Sequence, residues 1–428
     1  MILQQTFRRR LCRWLMFALL CGVLSGCVGY RQTLDQVDAL AHKGQYQQAL
    51  TLIDDSQMAS SRLSRLLYLM ERGLLLNLSG DYRASHQALQ QADDLTEELV
   101  TRSVSGEALS FVINDSTVPY RGEDYESAYL NYYKALNFVA QDQYEAAAVE
   151  ARRVDEKLNW YFDLYKGKNS YREDGFLRFL TGLLYEAYGD DENAQVAYRQ
   201  SLAAYRKQQS LYQVTPPDAL WARLLSVLKR LGDHQQYTDL LAQAPPGTID
   251  EDDGGLLVLL LDRGQIPAKE ESSILLPTTR GPVRISIPVL ERSAPLSGDV
   301  TVRVDGVVAG RPELVGNVEA IARRSMEDKK GRIIAKETAR TVTKEALTRR
   351  AEGQLGDAAG ALVRVISILT ANADLRFWRL LPSRVELLTV PLKPGHHQVE
   401  ISLGGQTLTR SVTATERGPV FLHHRFFR

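Results

Sequence analysis

The residue best placed for covalent chemistry is Cys27, which ends the run Leu24-Ser25-Gly26-Cys27. Arg8-Arg9-Arg10 comes first, then an apolar stretch, Leu15 to Leu24, too short to span a membrane. Small residues at 25 and 26 suit the narrow site of a peptidase that cuts before a modified Cys. This order of charge, apolar run, small residues and Cys is that of a bacterial lipoprotein signal peptide. The expected chemistry is alkylation of the Cys27 sulfur with diacylglycerol, then cleavage that leaves Cys27 as the first residue. The sequence therefore predicts a signal peptide over residues 1–26 and a lipid anchor with a short tether over 27–32.

Cysteine usage agrees. Of the three Cys, Cys12 and Cys21 lie inside the signal and leave with it. A mature chain whose one thiol is lipidated forms no disulfide, which suits an oxidising compartment. Val28 follows the Cys in place of the Asp that would retain it at an inner membrane. The expected location is the periplasmic face of the outer membrane, lipid-anchored. Each buried methylene of the acyl chains adds about 0.8 kcal/mol, so the anchor is effectively permanent.

No other constellation carries chemistry. The seven histidines include the pairs His396-His397 and His423-His424, in expected strand or turn. Neighbours there point to opposite faces and do not readily share a metal. Gly167-Lys168-Asn169-Ser170 ends like a phosphate loop, but Phe162 stands where that loop needs its first glycine. The cluster Asp250-Glu251-Asp252-Asp253 fails as a calcium loop, because positions five and twelve fall on Gly254 and Leu261. The sequence thus predicts no catalytic residue, no metal and no cofactor. Basic and acidic residues balance at 52 each, and the signal removes Arg8, Arg9, Arg10 and Arg13, giving 0 − 4 = −4 for the mature chain. A mildly acidic chain argues against nucleic acid as a partner.

The elements that would position a binding surface repeat. Gly44-Gln45-Tyr46 recurs as Gly80-Asp81-Tyr82, as Gly189-Asp190 and as Leu231-Gly232-Asp233, with Asp142-Gln143-Tyr144 as a degenerate copy. Gly73, Leu76, Tyr82, Leu89 and Ala92, and again Gly182, Tyr185, Ala194 and Tyr198, stand where a tetratricopeptide repeat places small and aromatic residues. Residues 33–245 are expected to form an all-α, TPR-like solenoid that folds on its own. Tyr125, Tyr129, Tyr132 and Tyr133 lie at helical spacing. They either contact a peptide or glycan inside the solenoid or pack between its helices.

After Pro245-Pro246-Gly247 the apolar period changes from 3.6 to 2. Ile285, Ile287 and Val289, then Val300, Val302 and Val304 before Asp305-Gly306, read as strands and a hairpin. Val399, Ile401 and Leu403 before Gly404-Gly405 read as another, and Val420 to Leu422 as a final strand. The fold class is α + β: the solenoid, a linker over 246–273, and a β-rich domain over 274–428. A helical hairpin is expected as an insertion at about 316–372. Its second arm, Ala358 to Ala371, is almost wholly apolar but short and interrupted by Arg364. It is expected to bury against the sheet, with a membrane or partner as the alternative.

Three segments together resemble one largely uncharacterised family of tetratricopeptide-repeat bacterial lipoproteins. They are Arg121-Gly122-Glu123-Asp124-Tyr125-Glu126 with Tyr132 to Asn137; Ala148-Val149-Glu150-Ala151-Arg152-Arg153; and Ala373 to Pro382 with Pro394-Gly395-His396. The resemblance implies no assigned activity. It implies a cell-envelope role, through a gene neighbourhood shared with lipoproteins that activate peptidoglycan synthases. Glu150, Arg152 and Arg153 could form an inter-helix ion network or receive a partner carboxylate. Arg376 and Trp378, just before Pro382, read as a clamp at a domain interface. The candidate partner-binding residues are Tyr125, Tyr129, Tyr133, Arg152, Arg153, Arg376 and Trp378, with Cys27 for lipidation. The expected function is a non-enzymatic, membrane-tethered scaffold for a cell-envelope protein; the alternatives are a structural subunit of an envelope assembly or a glycan-acting enzyme.

Overall fold

The computed structural model describes residues 30–105, 118–167, 170–248, 254–278, 281–293, 295–296, 298–355 and 373–427. Each repeated turn joins two helices. The pairs are α1 (30–41) with α2 (Tyr46–Asp54), α4 (Arg65–Leu78) with α5 (Tyr82–Ser105), and α6 (Asp124–Val139) with α7 (Tyr144–Leu164). Then come α8 (Gly175–Tyr188) with α9 (Asp191–Tyr212) and α10 (Asp218–Arg230) with α11 (His234–Leu241); a short α3 (Gln57–Ser60) precedes α4. All five turns use a left-handed residue: Gly44, Gly80, Asp142, Gly189 and Gly232. Asp is among the few side chains that tolerate that conformation, so the degenerate copy still turns. The Asp of each Gly-Asp pair then caps the next helix: Asp81 accepts from Ala84 N at 3.1 Å and Asp190 from Asn193 N at 3.0 Å. Gly73 is required by close approach, since a Cβ there would meet Leu89 Cδ2 at 2.5 Å.

Among the described residues ten strands follow: β1 (Gly255–Arg263), β2 (Lys269–Thr278), β3 (Gly281–Leu290), β4 (Thr301–Val304), β5 (Val307–Gly310), β6 (Glu313–Gly316), β7 (Arg384–Leu392), β8 (Gly395–Leu403), β9 (Gln406–Ala414) and β10 (Gly418–Phe426). They form sheets ordered β10-β1-β7-β6 and β5-β4-β8-β9, with β2-β3 as a separate ribbon. Both predicted hairpin turns are present, with Asp305-Gly306 joining β4 to β5 and Gly404-Gly405 joining β8 to β9, all four at positive φ.

β1 explains the layering. All nine of its residues are buried. Leu256, Val258 and Leu260 belong to the core shared with the helices. Leu257, Leu259 and Leu261 belong to a second core with Val302, Val399 and Ile401 of the other sheet. The period-2 alternation thus sends one strand's side chains into two cores, and the molecule stacks as helices, sheet, sheet.

One expectation is corrected here. Residues 246–273 are no linker: β1 lies inside a sheet, between β10 and β7, because its unbroken apolar run can be buried on both faces. The repeat helices end at Leu241, inside the expected 33–245, and their core continues through Val258, Trp378 and Leu387. The expected insertion enters as one 38-residue helix, α12 (Val318–Leu355). The expected second arm, 358–371, and Cys27 lie outside the described residues. Among the described residues no helix is long and apolar enough to cross a membrane.

Candidate functional site

The inner face of the helical array is built from the first helix of each pair, and the chain itself fills it. On α6, Tyr132 and Tyr133 donate to the Asp262 carboxylate of β1 at 2.9 and 2.7 Å. His423 of β10 reaches the same carboxylate at 3.0 Å. Against the cost of complete burial, His423 and Arg425 hold Asp262 below the usual carboxylate range. α8 packs on β10 and β6.

Beside the sheet runs a strap, residues 373–383, between the end of the insertion and β7. Three successive backbone N–H groups of the strap point at carboxylates from two helices. Trp378 N donates to Glu126 at 2.7 Å, Arg379 N to Glu71 at 2.7 Å and Leu380 N to Glu71 at 3.3 Å. Such consecutive donors make a concavity suited to an anion. Burial lifts Glu71 well above the usual range, with Asp38 adding repulsion, and burial followed by Glu123 lifts Glu126. The Arg376 guanidinium donates to the carbonyls of Leu63 and Val118 at 2.8 and 3.0 Å and pairs with Asp374 at 2.7 Å. Arg379 ties the strap to α1 through Asp35 at 2.7 Å and Asp38 at 2.5 Å. Burial pushes Asp38 up to about 6.

A second joint brackets Glu123, at the start of α6. Lys269 of β2 lies 2.9 Å away and Lys329 of α12 also pairs with it. Burial opposes the charge, but the two ammonium groups outweigh it and hold Glu123 below its ordinary range. Solenoid, ribbon and long helix therefore meet at one carboxylate.

The candidates named from sequence separate into three groups. Tyr125, Tyr129 and Tyr133 are at most 2% exposed, and Tyr129 and Tyr133 pack among Tyr132, Phe176 and Trp378, so all three are core and not partner anchors. They share a helix whose Tyr132 and Tyr133 are covered by β1 and the strap. Arg376 and Trp378 are buried at the junction of helices and sheet, as a clamp there requires. That position removes them from any external partner. Arg152 and Arg153 stay exposed on α7, while Glu150 is buried between Lys134 at 2.9 Å and Arg153 at 2.9 Å, an inter-helix ion network. Glu71, Asp262, Lys269 and Lys329 were not identifiable beforehand. Their partners lie 107 to 309 residues away, and only the spacing Glu123-x-x-Glu126, a capping box in the structure, is a local signal.

The described residues hold no group of three or more His, Cys, Asp and Glu able to bind a metal. His396 instead meets Thr413 and His397 meets Asp305. A groove of about 290 Å³ lies between α3, α5 and Pro119, rimmed by Arg62, Arg65 and Glu98.

No family model and no curated protein matches this chain. Several solved structures resemble part of it, and two of them cover half. One is a Podosopora anserina putative kinesin light chain with nearly identical TPR-like repeats, at 18% identity and a TM-score of 0.32, covering 50% of this chain and 91% of that one. The other is BtubC from P. vanneervenii, at 16% identity and 0.31, covering 50% and 73%. These likenesses are loose, and the helix pairs and their turns carry the repeat assignment without them.

Proposed function

We propose that the mature chain is an outer-membrane lipoprotein, tethered through Cys27, that holds another cell-envelope protein on the outer face of its solenoid and performs no catalysis. The carrying observation is that the inner face, where a repeat solenoid commonly takes a ligand, is occupied by the chain's own β1 and strap. A partner is left with the outer helices. On α7, Val149, Arg153, Glu156 and Trp160 are spaced 4, 3 and 4 and so share one face, with Arg152 beside them. Val149 and Trp160 are 38% and 39% exposed. Trp and Arg are the side chains that most often dominate binding energy. The location rests on the signal sequence, and the family resemblance points to peptidoglycan-synthase activator lipoproteins as the partner class.

The test places a photo-crosslinking residue at Arg152 or Trp160 of the full-length protein in its native envelope. A control site is placed at Lys43, on the turn after α1. A discrete adduct with an envelope lipoprotein at the α7 positions alone is expected. Adducts only at the control site, or peptidoglycan cleavage by the purified protein, would overturn the reading.

A further inference from the structure

A small cavity sits where the solenoid meets the start of α12. Its walls include Asp174, Gly175, Tyr205, Tyr212, Gly316 and Asn317. The space open to the centre of a water molecule is about 20 Å³. One water needs roughly 10–15 Å³ on that measure, and an organic ligand needs several hundred. The size therefore admits solvent and little else.

One hydroxyl of the wall and one beside it have no protein partner. Tyr212 is 5% exposed, and its hydroxyl meets no hydrogen-bonding group of the protein. The Tyr129 hydroxyl, on a side chain with no exposure, is in the same position. It lies behind the wall residue Gly316, 3.5 Å from where a Cβ on that glycine would stand. Tyr205 by contrast is satisfied, donating to Val315 O at 2.6 Å. Buried hydroxyls in folded proteins nearly always find a partner, and a lone one costs on the order of 1–3 kcal/mol.

Asp174 supplies the acceptor. Its carboxylate caps α8, accepting from Leu177 N at 2.9 Å, and takes the Tyr171 hydroxyl at 2.8 Å. A carboxylate has about four lone-pair sites, so acceptor capacity remains. Apart from burial, Asp174 is the strongest charge acting on both Tyr129 and Tyr212. An anion is disfavoured beside that carboxylate.

We propose that this cavity is a built internal-water site: one water, held by the Tyr212 and Tyr129 hydroxyls, donates to the Asp174 carboxylate. The water would complete a joint between α6, α8, α9 and the entry to α12. Asn317 already fixes that entry, donating to Tyr212 O at 3.1 Å and capping the helix by accepting from Ala320 N at 3.1 Å. The site thereby helps set the direction in which the long helix leaves the body.

Tyr212→Phe and Tyr129→Phe in the mature full-length protein test this, because each removes one oxygen and keeps the ring. If a water satisfies the hydroxyls, each change lowers the melting midpoint by about 2 °C, and the double change costs less than the sum. If the hydroxyls have no partner, removing one relieves a desolvation cost and the midpoint rises, which overturns the proposal. Strictly additive losses would overturn the shared water. A high-resolution crystal structure should show density about 2.8 Å from Tyr212 Oη; a dry cavity there would sink the idea.

Discussion

The Tyr133 ring of α6 lies 5.9 Å from the Trp378 ring of the strap, while its hydroxyl donates to Asp262 of β1 at 2.7 Å. One side chain therefore belongs at once to the repeat helices, to the strap and to the sheet. This contact joins the two halves of the chain in one core.

Cutting the chain at residue 245 should accordingly fail to give a stable solenoid. Residues 30–245 would expose the apolar inner face and leave Glu71 and Glu126 without the strap. We expect a fragment that binds hydrophobic dyes and melts broadly, whereas the full mature chain melts in one sharp transition. A sharp, cooperative melt of the fragment would refute the shared core. Trp378→Ala in the intact protein should cost about 3–5 kcal/mol in chemical denaturation.

Glu71→Ala should loosen the strap specifically. It strands the N–H groups of Arg379 and Leu380 in a buried setting, at about 1–3 kcal/mol each if water cannot reach them. Hydrogen exchange at these two amides should accelerate in the variant. Unchanged protection would show that other contacts hold them.

Acid and base should act oppositely on two carboxylates. The folded pKa of Asp38 is raised to about 6, so its contribution is fully present below its unfolded value near 3.8 and is lost as pH rises through about 6. Asp38→Asn should therefore stabilise at pH 7.5, by at most about 3 kcal/mol, and make little difference at pH 4. Glu123 is depressed by Lys269 and Lys329, so its contribution is present above its unfolded value near 4.5 and disappears as pH falls. Glu123→Gln should cost about 3–5 kcal/mol at neutral pH and progressively less in acid. Parallel melts of both variants from pH 3 to 8 check the two signs.

Arg152→Ala should leave stability within about 0.5 kcal/mol, since the side chain is exposed. A larger loss on denaturation would mean the outer face of α7 is structural and would remove it as a docking surface.

Cys27→Ala should abolish lipid attachment and leave unprocessed precursor. Metabolic labelling with a fatty-acid analogue reads this directly, and equal labelling of the variant would end the lipoprotein assignment.

The sequence by itself determined what depends on neighbours along the chain. The run at Cys27 from which a lipidation signal is proposed is local, and so are the five helix-pair turns, where a left-handed residue is followed by a capping Asp in the Gly-Asp copies. The two glycine-containing hairpins and the change of apolar period are equally local, since backbone sterics and side-chain periodicity act within a few residues. Tertiary structure decided which faces are covered. The tyrosines of α6 have the same spacing whether a groove or a core lies over them, and only the docking of β1 and the strap makes them core. The strap and its two carboxylates are separated by 252 and 308 residues, and Tyr133 and Asp262 by 129. No period in the sequence joins such positions. Burial that removes water from all of them together selects that pairing, because each buried donor and carboxylate must then find its partner inside the fold.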